Sequence, residues 1–280
     1  MIINSQWKVT QGTIFSCAKA MGIEQSVLGL IITARCDLEH SKSSLVNYVP
    51  ILSFEQWLDL YGNRLIINDV RMQILASFKQ CIADLGEAKT LVDAFPITDI
   101  LTKFEGLGFD KSKPKPYAKF VECGKNVLTI TDPEFRIEEA PEDIKKRFCR
   151  LSEKLHKDLV ENRIADLHFL PATTPDECCL GYVAMLREIR FLNAEIAAEL
   201  SKGLEYHQYI ELVSELGADS SQLALTDESD FGMCVGELVS PYIELLMQRL
   251  TTVFSRIGVP DYDRSLLDEM ATHTNKKVRL

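Results

Sequence analysis

The chain has 280 residues, 46% of them hydrophobic and 26% charged, which is enough to bury a core without disulfide or metal staples. Its formal net charge of -10 and pI near 5.1 argue against nucleic acid as the main partner, because phosphate binding needs a basic surface; they favour a protein partner or a small ligand. Residues 1–12 hold no charged segment followed by an apolar run, and the apolar stretch at 27–33 is too short to span a bilayer, so the expectation is a cytoplasmic protein with reduced thiols and no membrane contact.

In chain order, residues 12–15 begin a short strand. Residues 27–33 are nearly all apolar and β-branched and read as a central strand. Residues 45–52 read as a third, with Pro50 favouring an edge or a strand end because it cannot donate to a ladder. Three short strands so close together predict a small barrel or a curled sheet. Ser53 with Gln56 forms a capping-box signature for a short helix that stops near Gly62. A longer helix at 68–85 carries Ile74, Leu75, Phe78, Ile82 and Leu85 at helical spacing and ends at Gly86. With a short helix at 99–105, the stretch 53–108 reads as a helical insertion.

Residues 111–116, with three lysines and two prolines, read as a loop. Residues 117–123 and 126–131 read as a hairpin around Gly124 and Lys125. A clear helix follows at 141–160, with Pro141, Glu142 and Asp143 suited to its start and Ile144, Phe148, Leu151, Leu155 and Leu159 on one stripe. Strands return at 167–170 and 181–192. A helix at 194–202 is capped by Asn193 and stopped by Gly203. A last helix at 240–258 has Ser240 as its cap and Pro241 in its first position, and it packs through Ile243, Leu246, Leu250, Val253 and Ile257. The expected architecture is one domain over 1–280, mixed α+β, built on an SH3-like curved antiparallel sheet with inserted and packed helices.

The densest polar group is at 33–42, directly after the apolar strand, where a strand end holds side chains in place. There Cys36 can act as a nucleophile, His40 as a base and Asp37 as an orienting group. The structural alternative is a charged turn capped by Asp37, with Cys36 tucked into the core. His168 faces the same way as Leu170 and reads either as a binding residue or as a hydrogen-bonded core histidine. Arg187 and Glu188 interrupt an apolar stretch, and Arg187 on the face of Val183 and Met185 needs a partner, for which Asp37 is the candidate. The catalytic candidates are therefore Arg35, Asp37, His40 and Arg187, and the binding candidates Cys36, Lys42 and His168. Eight scattered cysteines include no CxxC pair, and the adjacent Cys178 and Cys179 read as loop residues rather than a chelate, so no metal or cofactor is assigned. P-loop, dinucleotide, zincin, α/β-hydrolase and EF-hand patterns do not occur.

Three groups of segments carry a resemblance. The first is Gly12 to Phe15, Leu28 to Leu38, Lys42 and Val49-Pro50. The second is His168 to Pro171 with Gly181 to Arg187. The third is Ser240 to Glu244, Arg249, Phe254 and Arg256 to Pro260. Together they resemble a family of largely uncharacterised bacterial proteins met near defence genes. The first group also resembles the SH3-like barrel of MazF/PemK toxins, over about the first fifty residues. In those ribonucleases an arginine precedes the apolar strand; here residues 22–27 carry none and Arg35 follows the strand.

The resemblance, the acidic charge and the missing arginine make the first expectation a regulatory or protein-interaction component of a bacterial phage-defence or toxin–antitoxin-type system, not itself an enzyme. The alternative is a MazF-like endoribonuclease or other hydrolase, in which Arg35, Asp37, His40, Lys42 and Arg187 converge on one cleft. A third reading is a small-ligand or nucleotide sensor with a pocket lined by Arg187 and the polar loop.

Overall fold

The computed structural model describes residues 8–172, 180–217 and 222–255, together with Met270 and His273. The adjacent Cys178 and Cys179 lie outside the described residues. The chain is mixed α and β, with a strongly curled antiparallel half-barrel sheet and packed helices, which fits the SH3-like expectation.

The first half of the sheet consists of β1 (Thr13–Ala20), β2 (Ile23–Ile31) and β3 (Leu45–Ser53), with the short helix α1 (Arg35–Glu39) between the last two. A helical block follows: α2 (Phe54–Trp57), a π-helical turn at Leu58–Gly62, α3 (Asn63–Leu85), α4 (Leu91–Ala94), α5 (Ile97–Glu105), α6 (Phe109–Ser112), α7 (Pro114–Thr131) and α8 (Glu142–Val160). The sheet resumes with β4 (Leu167–Pro171), β5 (Gly181–Met185) and β6 (Arg190–Asn193). Then come α9 (Ala194–Leu200), β7 (Leu204–Glu205), α10 (Tyr206–Leu216), β8 (Phe231–Gly232), β9 (Cys234–Glu237) and α11 (Tyr242–Phe254). The strands run in the order β4-β5-β3-β2-β1-β9, with β6 also on β3; β7 and β8 pair separately.

Two features bend the sheet. In β1 the register slips between Phe15 and Ala18, and Cys17 adopts φ +58. Such a bulge adds a residue to one strand and increases the local twist. In β3, Leu45 to Tyr48 pair with β6 while Ile51 to Ser53 pair with β5, so the neighbour changes in mid-strand. Pro50 lies at that change, in a central strand rather than at an edge. Ile32 N donates to Asn47 O, so strand alternation turns Pro50 toward the β5–β6 side, where its missing N–H falls beyond the last β5 pairing.

Alternation along the strands separates two apolar faces. Phe15, Val27, Ile31, Val46, Tyr48, Leu52, Val183 and Leu192 pack with Ile196, Leu200, Tyr209 and Val213 of α9 and α10. Ile14, Leu30, Ile32, Val49, Ile51, Leu170, Ala184 and Leu186 pack with Leu246, Leu250 and Val253 of α11. A third cluster lies among α3, α5, α7 and α8, where the Phe120 ring stacks on Phe78 at 5.2 Å and on Phe104 at 4.7 Å.

Several sequence expectations are corrected. The hairpin expected at 117–131 is the helix α7, started by Pro114 and Pro116 and buried through Phe120, Gly124, Val127 and Ile130. The helical layer therefore continues to Val160 rather than stopping at 108. Gly124 is no turn residue: a Cβ there would stand 2.6 Å from Leu101 Cδ2 and 3.1 Å from the Phe78 ring, so glycine lets these helices approach. The single strand expected at 181–192 is two strands joined by a turn, in which Glu188 N donates to Met185 O. Ser240 makes no side-chain cap; Pro241 occupies the N-cap position and the Ser240–Pro241 peptide is cis. The Ser53–Gln56 capping box, the left-handed Gly86 ending α3 and the Asn193 cap on α9 are all present.

Candidate functional site

The polar segment at 33–42 forms α1 and the turn behind it. Arg35 reaches Glu244 of α11 at 3.7 Å, with both side chains about half exposed. The Cys36 thiol donates to Asp37 Oδ1 at 3.6 Å, and Cys36 is exposed rather than tucked into the core. The His40 and Lys42 side chains are exposed and make no hydrogen bond or ion pair with another described residue. Asp37 does not pair with Arg187. Arg187 sits in the turn after β5, not in mid-strand, and its Nε lies 2.7 Å from Asp166 Oδ2. Arg35 and Arg187 thus have different acidic partners on different elements.

His168 is 3% exposed and lies on the sheet face covered by α11. Burial first, and then the charge of Arg249, pushes its pKa down to about 4. Arg249 spans from α11 to the connection between α8 and β4, donating to the carbonyls of Asn162, Ile164 and Leu167. His168 is thus held neutral beside Arg249 and away from solvent, and its Nδ1 has no hydrogen-bond partner among the described residues. Burial also raises the thiols of Cys17, Cys123 and Cys234, the last two to about 12, which keeps them protonated and poor nucleophiles. No group of His, Cys, Asp and Glu among the described residues could hold a metal ion.

The residues that do converge lie at the mouth of the half-barrel, where the tip of the β1–β2 hairpin meets the β5–β6 turn. Glu188 fastens the two together: its Oε1 accepts from Met21 N and from Arg190 Nε, both at 2.5 Å. Below it, the Tyr48 hydroxyl meets the backbone of Lys19, accepting from its N–H at 3.3 Å. Burial leads the causes that hold this phenol up at about 12. Around this brace is a cleft of about 450 Å³ lined by Met21, Tyr48, Arg187, Glu188, Arg190 and Phe191, with Ile189 and Gln222 completing it. Met21, Ile189 and Phe191 are 68%, 44% and 52% exposed. Of the sequence candidates, only Arg187 lines this cleft. Glu188 stood out in the sequence only as a charge beside Arg187, and no local signal marks Met21, Arg190 and Phe191, because curling of the sheet brings the hairpin tip to the turn.

A second, smaller cavity of about 210 Å³ lies on the α11 face, against Ile14, Leu28, Ile51, Leu170, Tyr182 and Tyr242, and is mainly apolar. It holds none of the predicted site residues.

Comparison with known proteins gives no further constraint: no family model, no curated protein and no solved structure matches this chain. No helix among the described residues is long and apolar enough to cross a membrane.

Proposed function

We propose that this chain is a protein-interaction component that regulates a bacterial phage-defence or toxin–antitoxin-type system, and that its partner docks at the mouth of the half-barrel. The observation that carries the docking surface is the exposure of Met21, Ile189 and Phe191 around Arg187 and Arg190. Methionine, aromatic residues and arginine are the types enriched where proteins bind one another, and tight anchoring concentrates in aromatic residues and arginine. The acidic net charge and the three groups of segments that resemble defence-associated proteins support the biological setting. The hydrolase reading needs Arg35, Asp37, His40, Lys42 and Arg187 in one cleft, whereas only Arg187 lines the mouth.

The test is co-purification of the tagged full-length chain from its native host under reducing conditions. A stoichiometric protein partner from a defence or toxin–antitoxin operon is expected. It should be lost with Phe191→Asp and retained with the exposed control Phe254→Asp. Cleavage of RNA by the purified chain, abolished by Arg35→Ala or Asp37→Ala, would replace the interaction reading with the enzymatic one.

A further inference from the structure

The partner's chemistry at the mouth can be read from three features, and the inference rests on the interaction reading above. The first is a strand edge that pairs with no other strand among the described residues. β6 bonds to β3 through Arg190 and Leu192, because Asn47 turns its backbone toward β2 and strand alternation then directs Tyr48 and Val46 to β6. Asn193 N points the other way and is taken by Gln222 Oε1 at 2.6 Å. Phe191, two residues earlier and part of the cleft lining, therefore turns its N–H and C=O away from β3, where no described residue pairs with them. A strand edge of this kind accepts an extended peptide by backbone pairing, with side-chain pockets giving selectivity.

The second feature is charge. The lining carries Arg187, Arg190 and Glu188, and Asp166 on Arg187 brings the local charges into balance, so what remains for an anion is the unshared donor capacity of the two guanidinium groups. Glu188 is committed to Met21 N and Arg190 Nε, and Asp166 holds Arg187 by its Nε. Each guanidinium is thus held by one edge, and its terminal N–H groups have no other partner among the described residues. A fixed guanidinium fork suits a planar carboxylate, which it can engage through two parallel hydrogen bonds. The third feature is the apolar set of Met21, Ile189 and Phe191 beside the two arginines.

We infer that the mouth binds an extended acidic segment of a partner protein, which pairs with the backbone at Phe191, places carboxylates on Arg187 and Arg190, and packs an apolar side chain against Met21, Ile189 and Phe191.

The test is a titration of the isotope-labelled full chain with the blocked peptide acetyl-Leu-Glu-Phe-Glu-Leu-amide, followed by NMR. Three other probes run beside it: the same peptide with glutamine for both glutamates, the peptide N-methylated at its phenylalanine, and phenyl phosphate. The expected result is movement of the Arg187 and Arg190 Nε–H signals and of the Phe191 amide by the acidic peptide. Binding should be about tenfold weaker for the glutamine and N-methyl peptides, and weaker again in high salt. Arg187→Gln, an exposed change, should weaken the acidic peptide while leaving the backbone amide spectrum folded. Equal binding of acidic and glutamine peptides, no effect of N-methylation, or no binding of any peptide would each overturn the assignment. So would tighter binding of phenyl phosphate, which would mark a site for a small phosphorylated ligand. If the peptide fails while Phe191-dependent capture of a host partner persists, the acidic-strand inference is lost and the interaction reading stands. If capture also fails, both are lost.

Discussion

His168 shows how one residue type acquires its state from its surroundings. It sits 3% exposed on the α11 face, and burial with the nearby Arg249 charge favours its neutral form, giving a pKa of about 4 against an ordinary 6.5. Above pH 6.5 the imidazole is neutral whether the chain is folded or not, and its contribution is complete. As the pH falls from 6.5 to about 4, the unfolded chain takes up a proton that the folded chain refuses, so stability falls with pH. One proton sets an upper limit of about 1.4 kcal/mol per pH unit across that window. Urea unfolding at pH 7.5 and pH 5 should show this loss in the wild type and a smaller one in His168→Leu. An identical loss in the variant would assign the acid sensitivity to other groups. The same residue-scale reasoning separates the thiols: Cys17, Cys123 and Cys234 are held protonated by burial, while the exposed Cys36 donates to the neighbouring Asp37.

At the scale of the element, curvature depends on where side chains are absent or displaced. Gly29 of β2 faces Phe15, and a Cβ there would fall 2.3 Å from the Phe15 ring and 2.9 Å from Ala18 Cβ. Phe15 is fully buried and packs edge-on against Tyr48 at 5.1 Å, so its ring has little room to yield. Gly29→Ala should therefore destabilise the chain by about 1–3 kcal/mol through overpacking. Gly106→Ala, whose Cβ meets only the Lys103 carbonyl oxygen at 3.6 Å, should be neutral or slightly stabilising in the same denaturation series. The error over α7 belongs to this scale too. Gly124 and Lys125 carry a local turn signal, but Phe120, Gly124, Val127 and Ile130 recur at helical spacing and bury together. That periodicity was legible; the glycine drew attention from it, and packing against Leu101 and Phe78 compensates for its low helix propensity.

For the whole molecule, α11 is the helix that packs on one face of the sheet. Leu246 is fully buried against the cluster that contains Ile14, Leu30, Val49 and Ile51, whereas its neighbour Leu245 is 47% exposed. Leu246→Ala should lower the unfolding free energy by about 2–5 kcal/mol, counting lost transfer energy and the cavity left behind. Leu245→Ala should stay within about 0.5 kcal/mol, as expected of a surface position. Comparable losses from both changes in chemical denaturation would show that α11 does not seal the sheet as described. Arg249 on the same helix fastens the α8–β4 connection, so α11 holds both the sheet face and the chain's return from the helical block.

The sequence by itself determined the elements whose signals are local. Apolar β-branched runs gave β2 and β3, caps and helical periodicity gave α3, α8 and α9, and the apolar stripe of Ile243, Leu246, Leu250 and Val253 placed α11 inward. It also gave the curled mixed α+β class. Region 204–239 received no assignment, although Glu205 with Gln208 forms a capping box for α10 and Gly217 closes it in the left-handed conformation. Only the tertiary structure decided the site. It separates the polar cluster at 33–42 from Arg187, pairing Arg35 with Glu244 and Arg187 with Asp166. It joins Met21 to Glu188 across 167 residues of chain, and leaves Phe191 on an edge with no strand partner among the described residues. Such contacts depend on how far the sheet curls and which strand changes partner, and long-range pairing of this kind leaves no periodic trace in either segment alone.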